Sequence, residues 1–391
     1  MLRFLTAGES HGPSLVAILE GMPAGLPLDE GAINAQLRRR QVGHGSGARM
    51  QIERDSARIA GGVLNGRTTG APIAIEIENR DFMNWRDREI RPMTIPRPGH
   101  ADLTGAIKYG YRELRLALER ASARETAARV AVGAICSRLL AEFGIVVGGY
   151  VVQIGPAQAR LPDELSLGER MARAEENDLR CPDPTAAEAM RACIGEAKAA
   201  RDTLGGVFEL AALGLPPGLG SHVHWDRRLD ARLMAAVGSI PAIKGVEIGP
   251  AFENAARRGT EVHDEILVED GTLVRHTNRA GGFEGGITTG EPVVVRAAMK
   301  PISTTLTPLR SVDLASGEPA NTRYERSDIC AVPRAVIVGE AMVAFVLADA
   351  LLDKLGGDSL GEMRPRFATL RRGVLRDVEM DNEPWRFAGS V

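Results

Sequence analysis

The stretch Gly8-Glu9-Ser10-His11-Gly12 spells G-x-S-x-G, the pattern of a hydrolase nucleophile elbow. Such an elbow sits on a sheet already built from several strands, and only seven residues precede Gly8. The apolar run Ser14 to Glu20, stopped by Gly21 and Pro23, reads as a strand rather than a long helix. The expected arrangement is strand, polar turn, strand. Ser10 is then a turn residue, and His11 is displayed on a glycine-rich turn.

Six glycine- or proline-rich stretches concentrate histidine and arginine: 7–12, 38–50, 97–110, 119–130, 281–292 with 299–304, and 325–333. Guanidinium forks bind phosphate and carboxylate bidentately, and glycine turns let backbone N–H groups approach oxyanions. The shared chemistry is that of a small polyanionic ligand. Each stretch has a bland reading when taken alone. Arg38 to Arg40 reads as a solvated helix end. Residues 43–48 fit G-x-G-x-x-A formally, but no strand precedes them and no helix follows, so a dinucleotide site is not expected. Ser122 is a helix cap that, flanked by Arg120 and Arg124, also suits a phosphate. His222 and His224 have no third ligand nearby, and His44, His263 and His276 signal no more, so no metal site is expected.

The elements that must hold these stretches are punctuated throughout by 44 glycines and 22 prolines. Ser122-Ala123-Arg124-Glu125 is a capping-box pattern opening a helix with apolar positions at Ala127, Val130, Ala131, Ala134, Ile135 and Leu139. Further helices are expected over 226–237 and 335–355, the latter ended by Gly356-Gly357. Strands are expected at 49–53, 73–77, 145–154, 206–213 and 292–299. Strands and helices do not alternate regularly, which favours an α+β fold. One domain is expected over 1–357, with 161–200 as a polar surface helical insertion and 358–391 as an exposed tail.

A chain of 391 residues, 44% hydrophobic and 25% charged, has ordinary globular composition. Its net charge of −3 and 4% aromatic content argue against a nucleic-acid partner, and the charge gives no reason to expect a membrane partner either. Basic side chains are overwhelmingly arginine, 43 against five lysines. The four cysteines (Cys136, Cys181, Cys193, Cys330) lack metal-ligand spacing and read as free thiols. The apolar stretch 335–352 carries Glu340 and Asp349, so a buried helix is expected rather than a membrane span. With no secretory pattern at the N-terminus, the expected location is the cytoplasm.

As an ordered set the stretches become specific. AGESHG (7–12), RPGHAD (97–102), Arg120 to Ile135, Gly281 to Pro292, MKPIST (299–304) and Arg326 to Asp328 closely resemble the chorismate synthase family, over Met1 to about Gly357. The resemblance implies a lyase converting 5-enolpyruvylshikimate 3-phosphate to chorismate and phosphate by 1,4-anti elimination, with reduced FMN as cofactor. It also implies a β-α-β sandwich with helices between antiparallel sheets, assembled as a homotetramer. NADPH enters only indirectly, as reductant of the flavin, through an external flavin reductase.

By motif position the resemblance assigns His11 to the leaving phosphate, His100 to the flavin N1 and C2 carbonyl, and Asp328 to hydrogen removal with flavin N5. Arg40, Arg49, Arg97, Arg124 and Arg326 would surround the substrate anions, with Ser46 at a position where the family commonly has arginine. Flavin contacts would fall on Arg120, Ala121, Ser122, Ala242, Gly285, Lys300, Pro301, Ile302, Ser303, Thr304 and Arg326. Pro241 stands where the family tends to have Asn or Gln. The departures at Ser46 and Pro241 motivate an alternative, a catalytically impaired homologue that binds flavin or anionic metabolites. Phosphate release in the presence of reduced FMN separates the two readings.

Overall fold

Alternation along the strands sets the layers. In Ile73–Glu78 the isoleucines 73, 75 and 77 are all buried, and in Val293–Met299 the positions 293, 295 and 297 are completely so. The computed structural model describes residues 1–46, 55–325 and 327–384. Its first sheet contains β1 (Arg3–Ala7), β2 (Ser14–Glu20), β3 (Ala57–Gly61) and β4 (Ile73–Glu78), in the order β1-β2-β4-β3 and antiparallel throughout. The second contains β5 (Val146–Ile154), β6 (Ala157–Gln158), β7 (Gly206–Leu213), β8 (Ile243–Ile248) and β9 (Val293–Met299), in the order β8-β9-β7-β5-β6, also antiparallel.

Between the sheets lie α1 (Glu30–Gln41), α2 (Thr126–Ala141) and α3 (Val332–Leu355). Helix α2 touches β2 and β4 on one side and β5 on the other, while α3 packs on α1, α2, β5 and β7. The two most enclosed helices, α2 and α3, are accordingly apolar over most of their surface, whereas α1 buries only Ile33, Leu37 and Arg40. Their backbones approach closely at Gly133, where a Cβ would stand 2.3 Å from that of Ala341, so no larger residue fits without moving the crossing. The result is an α+β sandwich with helices between antiparallel sheets, as expected.

Four expectations about the elements need correction. Ser122 does cap, accepting from the Arg124 N–H, but it opens a 3₁₀ turn (Ala123–Glu125) that leads into α2. The reciprocal half of the capping box is missing, because Glu125 turns instead to Thr6 and Arg129, at 2.7 and 2.9 Å. The helix expected over 226–237 is broken into a 3₁₀ turn (Trp225–Arg227) and a helix (Leu229–Gly238). The segment 161–200 is helical, over Leu167–Ala174 and Pro184–Ala199, but it is no mere surface insertion. Leu179, Cys181, Met190 and Ile194 lie in the main core, and Arg180 reaches the Arg39 carbonyl at 3.0 Å. The tail is not wholly exposed either, because the helix Leu360–Ala368 docks with Leu360 and Met363 buried. The strand expected at 49–53 lies outside the described residues.

Candidate active site

Strands β1 and β2 pair in register Ala7↔Val16, and the turn between them carries His11. Three neighbours fix that turn. Asn79, buried just after β4, donates to the carbonyls of Ser10 and Gly12 at 3.1 and 2.7 Å. Ser10 N–H donates to the Glu119 carbonyl, and its hydroxyl meets that of Ser122 at 3.0 Å. The Glu119 carboxylate accepts from the His11 backbone N–H at 2.8 Å and contacts its Nδ1 at 2.7 Å. Burial opposes ionisation of Glu119, but hydrogen bonds and charge from His11, together with Arg115, outweigh it and hold the carboxyl below its ordinary value. With the carboxylate as acceptor, Nδ1 carries a proton. The imidazole packs on Trp85, ring centroids 4.0 Å apart, and the indole donates to buried Asp81 at 3.0 Å.

A second histidine is held by the same device in a harder setting. Asp102 is completely buried at the start of the helix Asp102–Tyr109. It accepts from Arg97 at the backbone N–H, Nε and Nη2, at 3.0, 2.8 and 3.0 Å, and contacts His100 Nδ1 at 2.6 Å. Burial opposes its charge, yet the hydrogen bonds and charges of His100 and Arg97 hold its carboxyl far below the usual carboxylate range. Arg97 continues to the Thr304 hydroxyl at 3.0 Å, which ties this group to the segment after β9.

The register Ile243↔Met299 sets the residues before β8 beside those after β9, and Lys300 N–H donates to the Ala242 carbonyl at 3.0 Å. Ala242 has φ of +70°, an unfavourable left-handed conformation for a residue with a Cβ. Lys300 Nζ donates to the Ser303 hydroxyl, which donates to the Gly99 carbonyl, both at 2.8 Å. Gly99 has φ of +76°, and a Cβ there would meet Ser303 Oγ at 3.2 Å, so the cradle depends on glycine. Burial and then the charge of Lys244 push the Lys300 ammonium below its ordinary value.

Arginines complete the site. Asp55, buried, takes Arg124 at 2.6 Å and Arg40 at 3.4 Å, while Arg40 also reaches Thr126 and the Ala123 carbonyl at the head of α2. Asp328 pairs with Arg334.

The side chains that these carboxylates and turns hold in place border one cavity of about 920 Å³. It brings together His11, His100 and Asp328, the arginines Arg40, Arg97 and Arg124, and Ala121, Ser122, Pro241, Ala242, Lys300, Ile302, Ser303 and Thr304. Four expected residues do not line it in this chain. The Arg120 guanidinium is turned to Thr6, at 2.9 Å from its carbonyl and 2.6 Å from its hydroxyl. Gly285 sits in a separate hairpin, Phe283–Glu284 with Ile287–Thr288, near His222. Pro301 faces away, and the Ser46 hydroxyl is bonded to the Gly43 carbonyl. Arg49 and Arg326 lie outside the described residues. Among the described residues no group of three His, Cys, Asp or Glu is disposed to hold a metal.

Sequence reasoning missed the carboxylates Glu119, Asp102 and Asp55, and also Trp85, Arg88 and Arg334, which line the cavity too. Glu119 and Asp102 stand inside stretches singled out for their basic residues, so an acid two residues from His100 was the available signal. Asp55 had none, being 69 positions from Arg124.

Comparison with known proteins agrees with this architecture. The sequence profile of the chorismate synthase family matches residues 2–352. The chorismate synthase of Desulforudis audaxviator is 56% identical over 373 residues, covering 93% of this chain and 95% of its own. That of Aquifex aeolicus is 55% identical over 386 residues, covering 94% and 96%. A crystal structure of a chorismate synthase superimposes with a TM-score of 0.77 at 49% identity, covering 94% of this chain and 96% of that one. The chain belongs to the chorismate synthase family of enzymes.

Proposed function

We propose that the protein converts 5-enolpyruvylshikimate 3-phosphate to chorismate and inorganic phosphate by 1,4-anti elimination, the last common step of the shikimate pathway, with reduced FMN as cofactor. The observation that carries this reading is the single cavity of about 920 Å³ that holds two carboxylate-fixed histidines together with paired arginines. That volume lies at the upper end of the range single ligands occupy, which suits a cofactor and a substrate side by side.

The chain's residues divide the work by charge. Arg40 and Arg124, held by Asp55, and Arg97, held by Asp102, neutralise the phosphate and carboxylates of the substrate. His11 donates its proton or a hydrogen bond to the leaving phosphate oxygen, and Glu119, bonded to Nδ1 and to the backbone N–H, orients the ring for it. The Gly99 cradle, with Lys300, Ser303 and Thr304, fits a ligand bearing phosphate and carbonyl oxygens. These residues and Ala121, Ser122, Pro241, Ala242 and Ile302 would hold the flavin, with His100 beside its polar edge. When bound, reduced FMN supplies transient electron density as phosphate departs. Asp328, oriented by Arg334, assists removal of the ring hydrogen.

The protein acts as a cytoplasmic homotetramer, and NADPH serves only an external reductase that supplies the reduced flavin. Anaerobic incubation of purified protein with substrate and chemically reduced FMN should release phosphate stoichiometric with chorismate. Folded, flavin-binding protein that releases none would overturn the reading.

A further inference from the structure

Next to the main cavity is a smaller one of about 310 Å³. Trp85, Arg88, Tyr324 and Glu325 line both, so the two spaces adjoin along one wall. Four arginines border the smaller pocket, Arg88, Arg91, Arg115 and Arg323, against two carboxylates, Glu89 and Glu325. Along its lining two positive charges are therefore in excess, with Asp313 outside the lining as the further carboxylate that feels Arg323 and Arg91. Among the described residues, Arg88, Arg91 and Arg323 have no carboxylate at ion-pair distance. Arg115 Nη1 is buried and makes no hydrogen bond, with Glu119 4.0 Å from it, and its Nη2 is 4.0 Å from Glu325. A buried guanidinium nitrogen without an acceptor is a standing demand for one, and an oxyanion meets it best.

Trp85 joins this pocket to the chemistry. Its ring packs on His11 at 4.0 Å, and the guanidinium carbons of Arg88 and Arg115 each lie 5.7 Å from its centroid. An anion leaving the side of His11 thus has an arginine-bordered pocket directly past the indole.

We propose that this pocket is a second oxyanion site, which receives the inorganic phosphate released at His11 and holds it on its way out. The role in release rests on the elimination reading above, whereas the site itself does not. The same chemistry would hold the phosphate ester of an incoming substrate, and the two sources are separable.

Full-length protein saturated with oxidised FMN, which fills the flavin cradle and supports no turnover, is titrated with inorganic phosphate at constant ionic strength, by calorimetry or phosphorus NMR. Two phosphates should bind per chain. The double variant Arg91→Gln/Arg323→Gln, altered at residues that line only the smaller pocket, should lose one of them, its affinity falling about tenfold or more. Each single variant should weaken the same site, which guards against a fold defect in the double. Protein preloaded with substrate should still bind one phosphate. One phosphate in the wild type, two undiminished in the variants, or displacement of the second by substrate would each overturn the proposal. None of these readouts needs turnover, so a failed elimination assay leaves them standing.

Discussion

His11 and His100 are held by the same device and differ in what else the carboxylate does. Glu119 serves one residue, gripping both the ring and the backbone of His11, and sits on the half-buried helix Arg115–Ala121. Asp102 serves two, taking three nitrogens of Arg97 as well as the His100 ring, in complete burial. The contrast teaches that, under the proposed elimination, one site aims a proton and the other fixes a frame. His11 rests on a turn held by neutral backbone and side-chain hydrogen bonds and a tilted indole, with one carboxylate on its ring, whereas His100 is part of a block that cannot shift without stranding a buried charge.

The sharpest test of that contrast is His11→Ala. It should fold and bind substrate yet lose turnover by about 10²–10⁴-fold, the usual contribution of a positioned acid or base. Normal turnover would reduce the opening turn to architecture.

Asp102→Asn should instead strike stability, by about 3–5 kcal/mol, because it leaves Arg97 as an uncompensated buried charge. The carboxyl of Asp102 is depressed in the folded state, so its contribution is present above about pH 4, the unfolded carboxylate range, and is lost as pH falls below it. The stability gap between wild type and variant in urea unfolding should therefore stay constant from pH 7 to about pH 4 and narrow below it. A gap independent of pH would show that the charge is not what holds the block.

Glu119→Gln should lower kcat about 10²-fold through a misplaced ring, with KM and melting temperature nearly unchanged. Equal losses of stability in Glu119→Gln and Asp102→Asn would erase the distinction between the two sites. The smallest effect is expected at Ser46, whose hydroxyl is spent on the Gly43 carbonyl. Ser46→Arg should lower KM for the substrate by no more than a few-fold, and about 1 M salt should abolish the gain. An unchanged KM at low salt would mean that another arginine already supplies the charge.

Much of the frame was legible because it follows strict periodicity. Strand β7 occupies the expected positions 206–213, and the apolar run of α3 gave a helix that starts only three residues earlier than expected, at Val332, with Pro333 in its first turn. The burial of 161–200 was hidden by composition, since Ala186, Ala187 and Ala197 present so little apolar area that the helix reads as polar. The tail misled for another reason. Pro365 inside the helix Leu360–Ala368 and its neighbouring arginines mask a short apolar face of Leu360 and Met363. At the site, cationic and glycine-rich stretches announced themselves, but which acid meets which histidine or arginine is set by tertiary contact. Ser10 meets Ser122 across 112 positions and Thr6 meets Glu125 across 119, separations that no local pattern encodes.

Helix α3 has a consequence for how the chain is made. Its 24 residues have a mean hydropathy of 2.2 over the most apolar window, enough in length and composition to cross a bilayer, and 94% of that window is buried in the fold. Between synthesis and docking it is a greasy segment that targeting factors and other unfolded chains can recognise. Its position after every strand of both sheets means that its berth on the sheets, α1 and α2 has already been synthesised when it leaves the ribosome, with only the short helix Leu360–Ala368 still to come. A chain terminated just before Val332 would leave the inner faces of α2, β5 and β7 uncovered, and it should partition into the insoluble fraction on expression.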